Sequence, residues 1–308
     1  MNLTLRQLSY VVAVVEHGSI TAAAEHLRIS QPAISSVLSE VEQEYKVSLF
    51  VRERPHRITA TSVGRQFVAN AKKLLEQVEE FDSEALSLSN TLRGSVDLGC
   101  FTPTAPFIVP IILQQLKAHY PQINVKLHEG DIDELNKMLS NGQIELALTY
   151  DMQPNYAIEF EPLAELRPYV LLAADDPLAA QDFVSLEELV KRDMVSFDLP
   201  VTQQYFLSHF TQRNLRPKIR HQVKGYEMVR GLVASEQGFS ILLMRNLHEQ
   251  SYAGDALTYR RLSDDVPNTR YGLAFRTHYQ PTNLVKTLVD VCRTAFATDE
   301  RIEKFTSQ

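Results

Sequence analysis

The chain lacks a basic surplus, has few cysteines and contains no long apolar run, and each absence removes a class of function. Across 308 residues, 31 lysines and arginines face 38 aspartates and glutamates, a formal net charge of −7. That balance argues against a protein that holds nucleic acid over its whole surface. Dividing the chain changes little, because residues 1–92 carry nine basic and eleven acidic side chains. The two cysteines, Cys100 and Cys292, lie far apart with no partner motif. Buried thiols in a reducing compartment are expected ahead of a disulfide or redox switch. No stretch approaches the ~20 apolar residues of a membrane helix, so no membrane partner is expected. The start, MNLTLRQLSY, has no basic region ahead of its apolar run, and the chain reads as cytoplasmic. Catalytic signatures are missing too: there is no GxGxxG, no Walker loop and no GxSxG. His128-Glu129 lacks the HExxH spacing, and the nine histidines show no metal-site pattern. Cys100 has no evident partner base. The expectation is a non-enzyme without cofactor or metal.

What is present begins with the stretch from Gly18 to Arg57. Ser19 is a plausible N-cap for a short helix carrying Ala22, Ala23, Ala24 and Leu27. Arg28-Ile29-Ser30 reads as a turn. Ser30 then caps a second helix, with Pro32 in its first turn, where a missing N–H does no harm. Ile34, Val37, Leu38 and Val41 form the apolar stripe of that helix, while Gln31, Ser35, Ser36, Ser39 and Gln43 line the other face. Short neutral hydrogen-bonding side chains suit a helix laid in the DNA major groove. The plainer alternative is a two-helix corner with a solvated polar face. Ahead of it, Thr4-Leu5-Arg6-Gln7 is a capping-box start for a first helix with Leu5, Leu8, Val12 and Val15 facing inward.

Leu49-Phe50-Val51-Arg52 is a short apolar run, followed by Arg54, Pro55, His56 and Arg57. Between Lys46 and Arg57, four basic residues meet one acid, Glu53, which gives a local surplus of three. This pattern predicts a small β-wing whose Arg52, Arg54 and Arg57 hold phosphates.

Residues 1–65 resemble the N-terminal domain of LysR-type transcriptional regulators. The resemblance is carried by Leu5, Leu8, Gly18 to Ala24, Leu27, Ser30 to Ser35, Glu42, Leu49 to Arg52, Thr61 and Gly64. Two positions depart from the family: Ser36 where arginine is frequent, and Tyr45 where glycine is. Base preference therefore does not carry over. The resemblance implies a winged helix-turn-helix over residues 1–62, with Ser30, Gln31, Pro32, Ser35, Ser36, Ser39, Arg52, Arg54 and Arg57 toward DNA. A linker helix over 63–92 is implied as well. Its apolar positions, Phe67, Ala71, Leu74, Val78, Phe81, Ala85 and Leu88, step by four and three in a sustained heptad. A narrow seam of this kind needs a partner helix, and a dimer follows.

From residue 93 the pattern changes to α/β. Strands are expected at 96–101, 125–129, 144–150, 169–174, 194–197, 219–223, 239–243 and 268–276, with helices between them and a last helix from Pro281 to about Phe296. This arrangement resembles the periplasmic-binding-protein-like effector domain of the same family. The matching residues are Gly94-Ser95, Tyr120-Pro121, Glu145 to Leu148, Val233-Ala234 and Gly238. Crossovers are expected near 163–167 and 267–270. They give a first subdomain of residues 93–164 and 268–308, and a second of 165–267.

Ligands of open α/β sheets bind beyond the C-terminal ends of strands, against helix N-termini. That rule nominates Thr102, Pro103, Thr104, Gly130, Tyr150, Asp198, Thr202, Tyr226 and Met228, positions that in the family line the inducer cleft. The same loops carry Glu129, Asp131, Asp151 and Glu227 but no lysine or arginine. A di-acid would want an arginine clamp, so a small neutral or cationic effector stacked on Tyr150 or Tyr226 is expected. Expected partners are double-stranded operator DNA, that effector, further copies of the chain (a dimer, by resemblance a tetramer) and RNA polymerase. The alternative is a small-molecule binding protein whose helical N-terminal domain serves protein contacts.

Overall fold

The computed structural model describes residues 3–53, 57–87, 92–153 and 155–307. The chain forms two compact units, residues 1–91 and 92–308.

In the first unit, α1 (Leu5–His17) starts from a complete Thr4/Gln7 capping box. The Ser19 hydroxyl accepts the Ala22 N–H at 3.4 Å and starts α2 (Ile20–Leu27). Arg28, at φ +54°, turns the chain into α3 (Gln31–Tyr45). Ser30 holds the N-cap backbone conformation of α3, but its side chain makes no capping hydrogen bond. Ile34, Val37, Leu38 and Val41 are buried with Leu8, Val11, Val14, Ala23 and Leu49 in one core. Leu5 departs from expectation. It is 42% exposed, because Leu8, Val11 and Val12 already fill the inner face of α1.

The wing is an antiparallel pair, β1 (Phe50–Glu53) and β2 (Arg57–Ala60). Glu42 ties it to α3: one carboxylate oxygen accepts the N–H groups of Leu49 and Phe50 at 2.7 and 3.1 Å. The long helix α4 (Ser62–Ser87) follows at once. Only glycine fits at position 64, since a Cβ there would lie 1.9 Å from the Leu49 carbonyl oxygen. Val68 and Ala71 are buried in the head, and Lys72 pairs with Glu16 of α1 at 2.6 Å. The heptad seam is thus divided. Phe67 and Ala71 pack within the unit, whereas Leu74 and Phe81 stay exposed at 36% and 69%. Leu88 lies outside the described residues.

Among the described residues the second unit holds two larger sheets and a two-stranded one. β3 (Gly94–Phe101), α5 (Ala105–His119), β4 (Ile123–Gly130), α6 (Ile132–Ser140) and β5 (Leu146–Tyr150) make parallel crossovers. β6 (Ile158–Leu166) completes this run before β7 (Tyr169–Ala173) enters the other lobe. There β8 (Phe183–Val184), α7 (Leu186–Leu189), β9 (Asp193–Phe197), α8 (Pro200–Thr211), β10 (Lys218–Val223), α9 (Tyr226–Ala234), β11 (Ser240–Leu242) and β12 (Leu257–Leu262) follow. β13 (Thr269–Arg276) returns to the first lobe, and α10 (Asn283–Thr298) and α11 (Glu300–Thr306) end the chain.

The first sheet has the order β4-β3-β5-β13-β6, with β13 antiparallel to both neighbours. The second has the order β11-β7-β12-β8, and a parallel bridge from Phe239 to Met194 joins it to the β9-β10 pair. Strands β6, β8 and β12 and helix α11 add to the elements expected from the sequence. The chain crosses between lobes after Leu166 and again between Leu262 and Thr269.

Candidate functional site

The α3 helix buries one stripe and leaves the other to solvent. Gln31, Pro32, Ser36 and Ser39 are exposed and Ser35 is half-buried. The Ser36 hydroxyl donates to Glu40 at 2.8 Å, and that of Ser39 to the Ser35 carbonyl at 3.0 Å. Their lone pairs therefore stay open toward solvent. Gln7 of α1 donates to Glu40 at 3.3 Å, so the helices around the polar face are linked. Arg52 and Arg57 stand on the two wing strands, across from Ile58 and Glu53 respectively. Arg54 lies outside the described residues.

In the α/β unit, the candidate ligand residues fall into three groups. The first lines a cavity of about 490 Å³: Thr102 and Pro103 after β3, with Tyr226 and Met228 of α9. Pro106, Phe107, Gly225, Glu227, Asn246, Leu247, His248, Tyr252 and Phe305 complete its walls. The second group is buried. Tyr150 is 5% exposed, its ring edge-on to Phe101 at 5.6 Å and Tyr271 at 4.9 Å. Burial holds its hydroxyl well above the ordinary tyrosine pKa. Thr104 Oγ1 lies 3.2 Å from both the Phe101 carbonyl and the Tyr271 hydroxyl, so it serves the fold. The Gly130 carbonyl accepts the Thr102 N–H at 3.1 Å. Thr202, in the first turn of α8, is different. It is 4% exposed, and its hydroxyl has no protein partner, like that of Thr149 near the end of β5. A buried hydroxyl without a partner carries a desolvation cost that a bound polar group can relieve. The third group is open to solvent and consists of Asp198.

Two of the five carboxylates in the nominated loops are neutralised. Asp151 pairs with Arg270, and Glu227 bonds Arg230 and the Tyr252 N–H, each at 2.8 Å. Arg230 is fully buried and also donates to Tyr259 and to the His248 and Gln250 carbonyls. The argument for a cationic ligand therefore loses two of its carboxylates, while that for a neutral one stands. Burial, with the Glu129 charge adding to it, pushes the Cys100 thiol up to about 12, which leaves it without thiolate at neutral pH. Among the described residues no group of three or more His, Cys, Asp or Glu could hold a metal ion, and no helix is long and apolar enough to cross a membrane.

Two family models cover this architecture. Residues 5–65 match the bacterial regulatory helix-turn-helix protein of the lysR family, and residues 89–297 match the LysR substrate binding domain. The chain belongs to the LysR family of transcriptional regulators. It is similar to the nitrogen assimilation regulatory protein nac of Klebsiella aerogenes, 30% identical over 78% of each chain. Among solved structures it resembles HinK, a LysR family transcriptional regulator from Pseudomonas aeruginosa. The identity there is 33%, over 96% of this chain and 99% of that one, with a TM-score of 0.64. The fold also matches CbnR complexed with its target DNA, at 20% identity and a TM-score of 0.63, over 95% of this chain and all of that one. LysR membership places the exposed face of α3 in a DNA-binding domain and the cavity in a substrate-binding domain.

Sequence reasoning passed over Thr149, Phe107, residues 246–248, Tyr252 and Phe305. Thr149 sat within a nominated loop, but only its missing partner distinguishes it. Phe107 reads as helix core, and Phe305 lies on a helix beyond the expected last one.

Proposed function

We propose that this LysR-family protein is a sequence-specific regulator that reads operator DNA and is controlled by a small molecule bound between its two α/β lobes. The observation that carries the DNA reading is the division of α3. Its apolar stripe is consumed by the core, and Gln31, Pro32, Ser36 and Ser39 are among the residues it leaves exposed. Gln31 and the serines would contact base edges, and Ser30 with Arg52, Arg54 and Arg57 would hold phosphates. Leu74 and Phe81, left exposed on α4, support dimerisation through that helix, so that two heads meet two half-sites. Pairing of such dimers into a tetramer and contact with RNA polymerase complete the proposal, as a cytoplasmic protein without catalytic activity.

The orphan hydroxyls of Thr149 and Thr202 support a ligand site facing both lobes, with Thr102, Pro103, Thr104, Gly130, Tyr150, Asp198, Tyr226 and Met228 around it. A ligand shifts the DNA-bound state only through different affinity for the two arrangements. The test is a footprint on the DNA upstream of the protein's own gene, titrated with salt. The expected result is an interrupted dyad whose affinity falls steeply as salt rises. Folded, oligomeric protein that protects nothing at any salt concentration would favour instead a binding protein whose helical head serves protein contacts.

A further inference from the structure

The LysR substrate-binding match ends at residue 297, and beyond it the chain adds α11, which walls the 490 Å³ cavity. Asp299 caps this helix and Ile302 anchors it at 1% exposure. The Phe305 carbonyl accepts the Arg245 N–H of the other lobe at 3.0 Å. The Phe305 ring stands edge-on to Phe107 at 5.2 Å, and Phe107 stands edge-on to Tyr226 at 5.1 Å. Rings from α5, α9 and α11 therefore meet on one cavity. Its rim is apolar and exposed: Leu247 at 43%, Met228 at 58% and Tyr252 at 92%. No lysine or arginine lines it, and its one carboxylate, Glu227, is already bonded to Arg230 and the Tyr252 N–H. Asn246, His248 and Thr102 supply hydrogen-bonding groups at the margin.

We propose that this cavity binds a flat, uncharged aromatic or heteroaromatic effector against the packed rings of Phe107, Tyr226 and Phe305, with the C-terminal helix α11 forming part of the site. The proposal rests on the reading that the α/β unit senses a small molecule, and it names that molecule's class. A carboxylate or ammonium buried here would lack a counter-ion and lose its hydration. A planar neutral ring meets faces and edges of aromatic side chains at their favoured separations and covers the exposed rim. The volume suits a ligand of two fused rings, within the ~300–1,000 Å³ usual for small-molecule sites.

Calorimetric titration of the 308-residue chain with 2-naphthamide, 2-naphthoate and 2-naphthylmethylamine separates charge from shape. The amide is expected to bind about tenfold or more tighter than the acid and the amine, and to lose about tenfold in Phe305→Ala. Tyr252→Ala gives a second reading on a residue too exposed to affect folding, and it too should weaken the amide. Preference for either charged probe, no binding of any of the three at millimolar concentration, or amide binding unchanged in both variants overturns the proposal. Acid binding that is lost in Thr202→Val but kept in Phe305→Ala overturns the aromatic site while leaving the sensing reading intact.

Discussion

Replacing His209 should remove an acid-sensitive part of the α/β unit's stability. This residue of α8 is 1% exposed, neither ring nitrogen has a partner, and the Tyr205 ring lies 4.7 Å away. Nearby Arg213 donates to the His209 carbonyl and pairs with Asp264 at 3.2 Å. Burial, and then the Arg213 charge, lowers the His209 pKa from 6.5 to about 4. The unfolded chain takes up a proton near pH 6.5, and the folded one only near pH 4. Stability from this site is therefore complete above pH 6.5 and is lost as pH falls through that window. The loss is about 2 kcal/mol at pH 5 and approaches roughly 3 kcal/mol at pH 4, from ~1.36 kcal/mol per pKa unit. The assay is urea unfolding of wild type and His209→Leu from pH 8 to pH 5, followed by circular dichroism and tyrosine fluorescence, since the chain contains no tryptophan. The other eight histidines cancel in the difference between the two proteins. The variant's curve should be flatter by about 2 kcal/mol over this range. Parallel curves would refute the reasoning and mean that the ring has a partner or is hydrated.

Four further outcomes follow from the same structure. Gln31→Ala should weaken specific operator binding by about 1–3 kcal/mol with little change in nonspecific binding, measured by anisotropy on cognate and scrambled duplexes. Glu42→Ala leaves the N–H groups of Leu49 and Phe50 without their carboxylate acceptor. The head should lose about 2–3 kcal/mol in thermal melts. Arg230→Met leaves Glu227 without its cationic partner and the Gln250 carbonyl without its donor, at a cost of about 3–5 kcal/mol to the α/β unit in chemical denaturation. Phe81→Lys, on the exposed part of α4, should shift sedimentation from dimer toward monomer without lowering the helix signal.

The sequence revealed most where a local rule and a burial pattern coincide. The Thr4 capping box, the stripe of α3 and the crossovers of the first sheet are local in this sense. The missed elements each break such a rule. β6 carries Glu159, Glu161, Glu165 and a proline, which is tolerable because it is an edge strand with a register shift opposite Tyr271 and Gly272. β12 lies between β7 and β8 although it contains Arg260 and Arg261; the Arg260 guanidinium is taken up by Thr258 and by the carbonyls of Ala179 and Tyr259. α11 is a short helix restarted by Asp299 directly after α10. The site was legible as loops but not as a cavity. Strand ends nominate Thr102 and Tyr226, yet the ring that joins them, Phe107, and the one opposite, Phe305, are brought there only by packing.

The position of β13 has a consequence for how the protein is made. This strand, from Thr269 to Arg276, lies between β5 and β6, which leave the ribosome long before it. Until it arrives, β5 presents an unsatisfied apolar edge while the whole second lobe is still being synthesised. A chain cut short between Leu166 and Thr269 would thus hold a first lobe that cannot close. Such a product is exposed to pairing with other chains and to proteolysis. Synthesis of β13 decides whether the earlier part of the lobe survives.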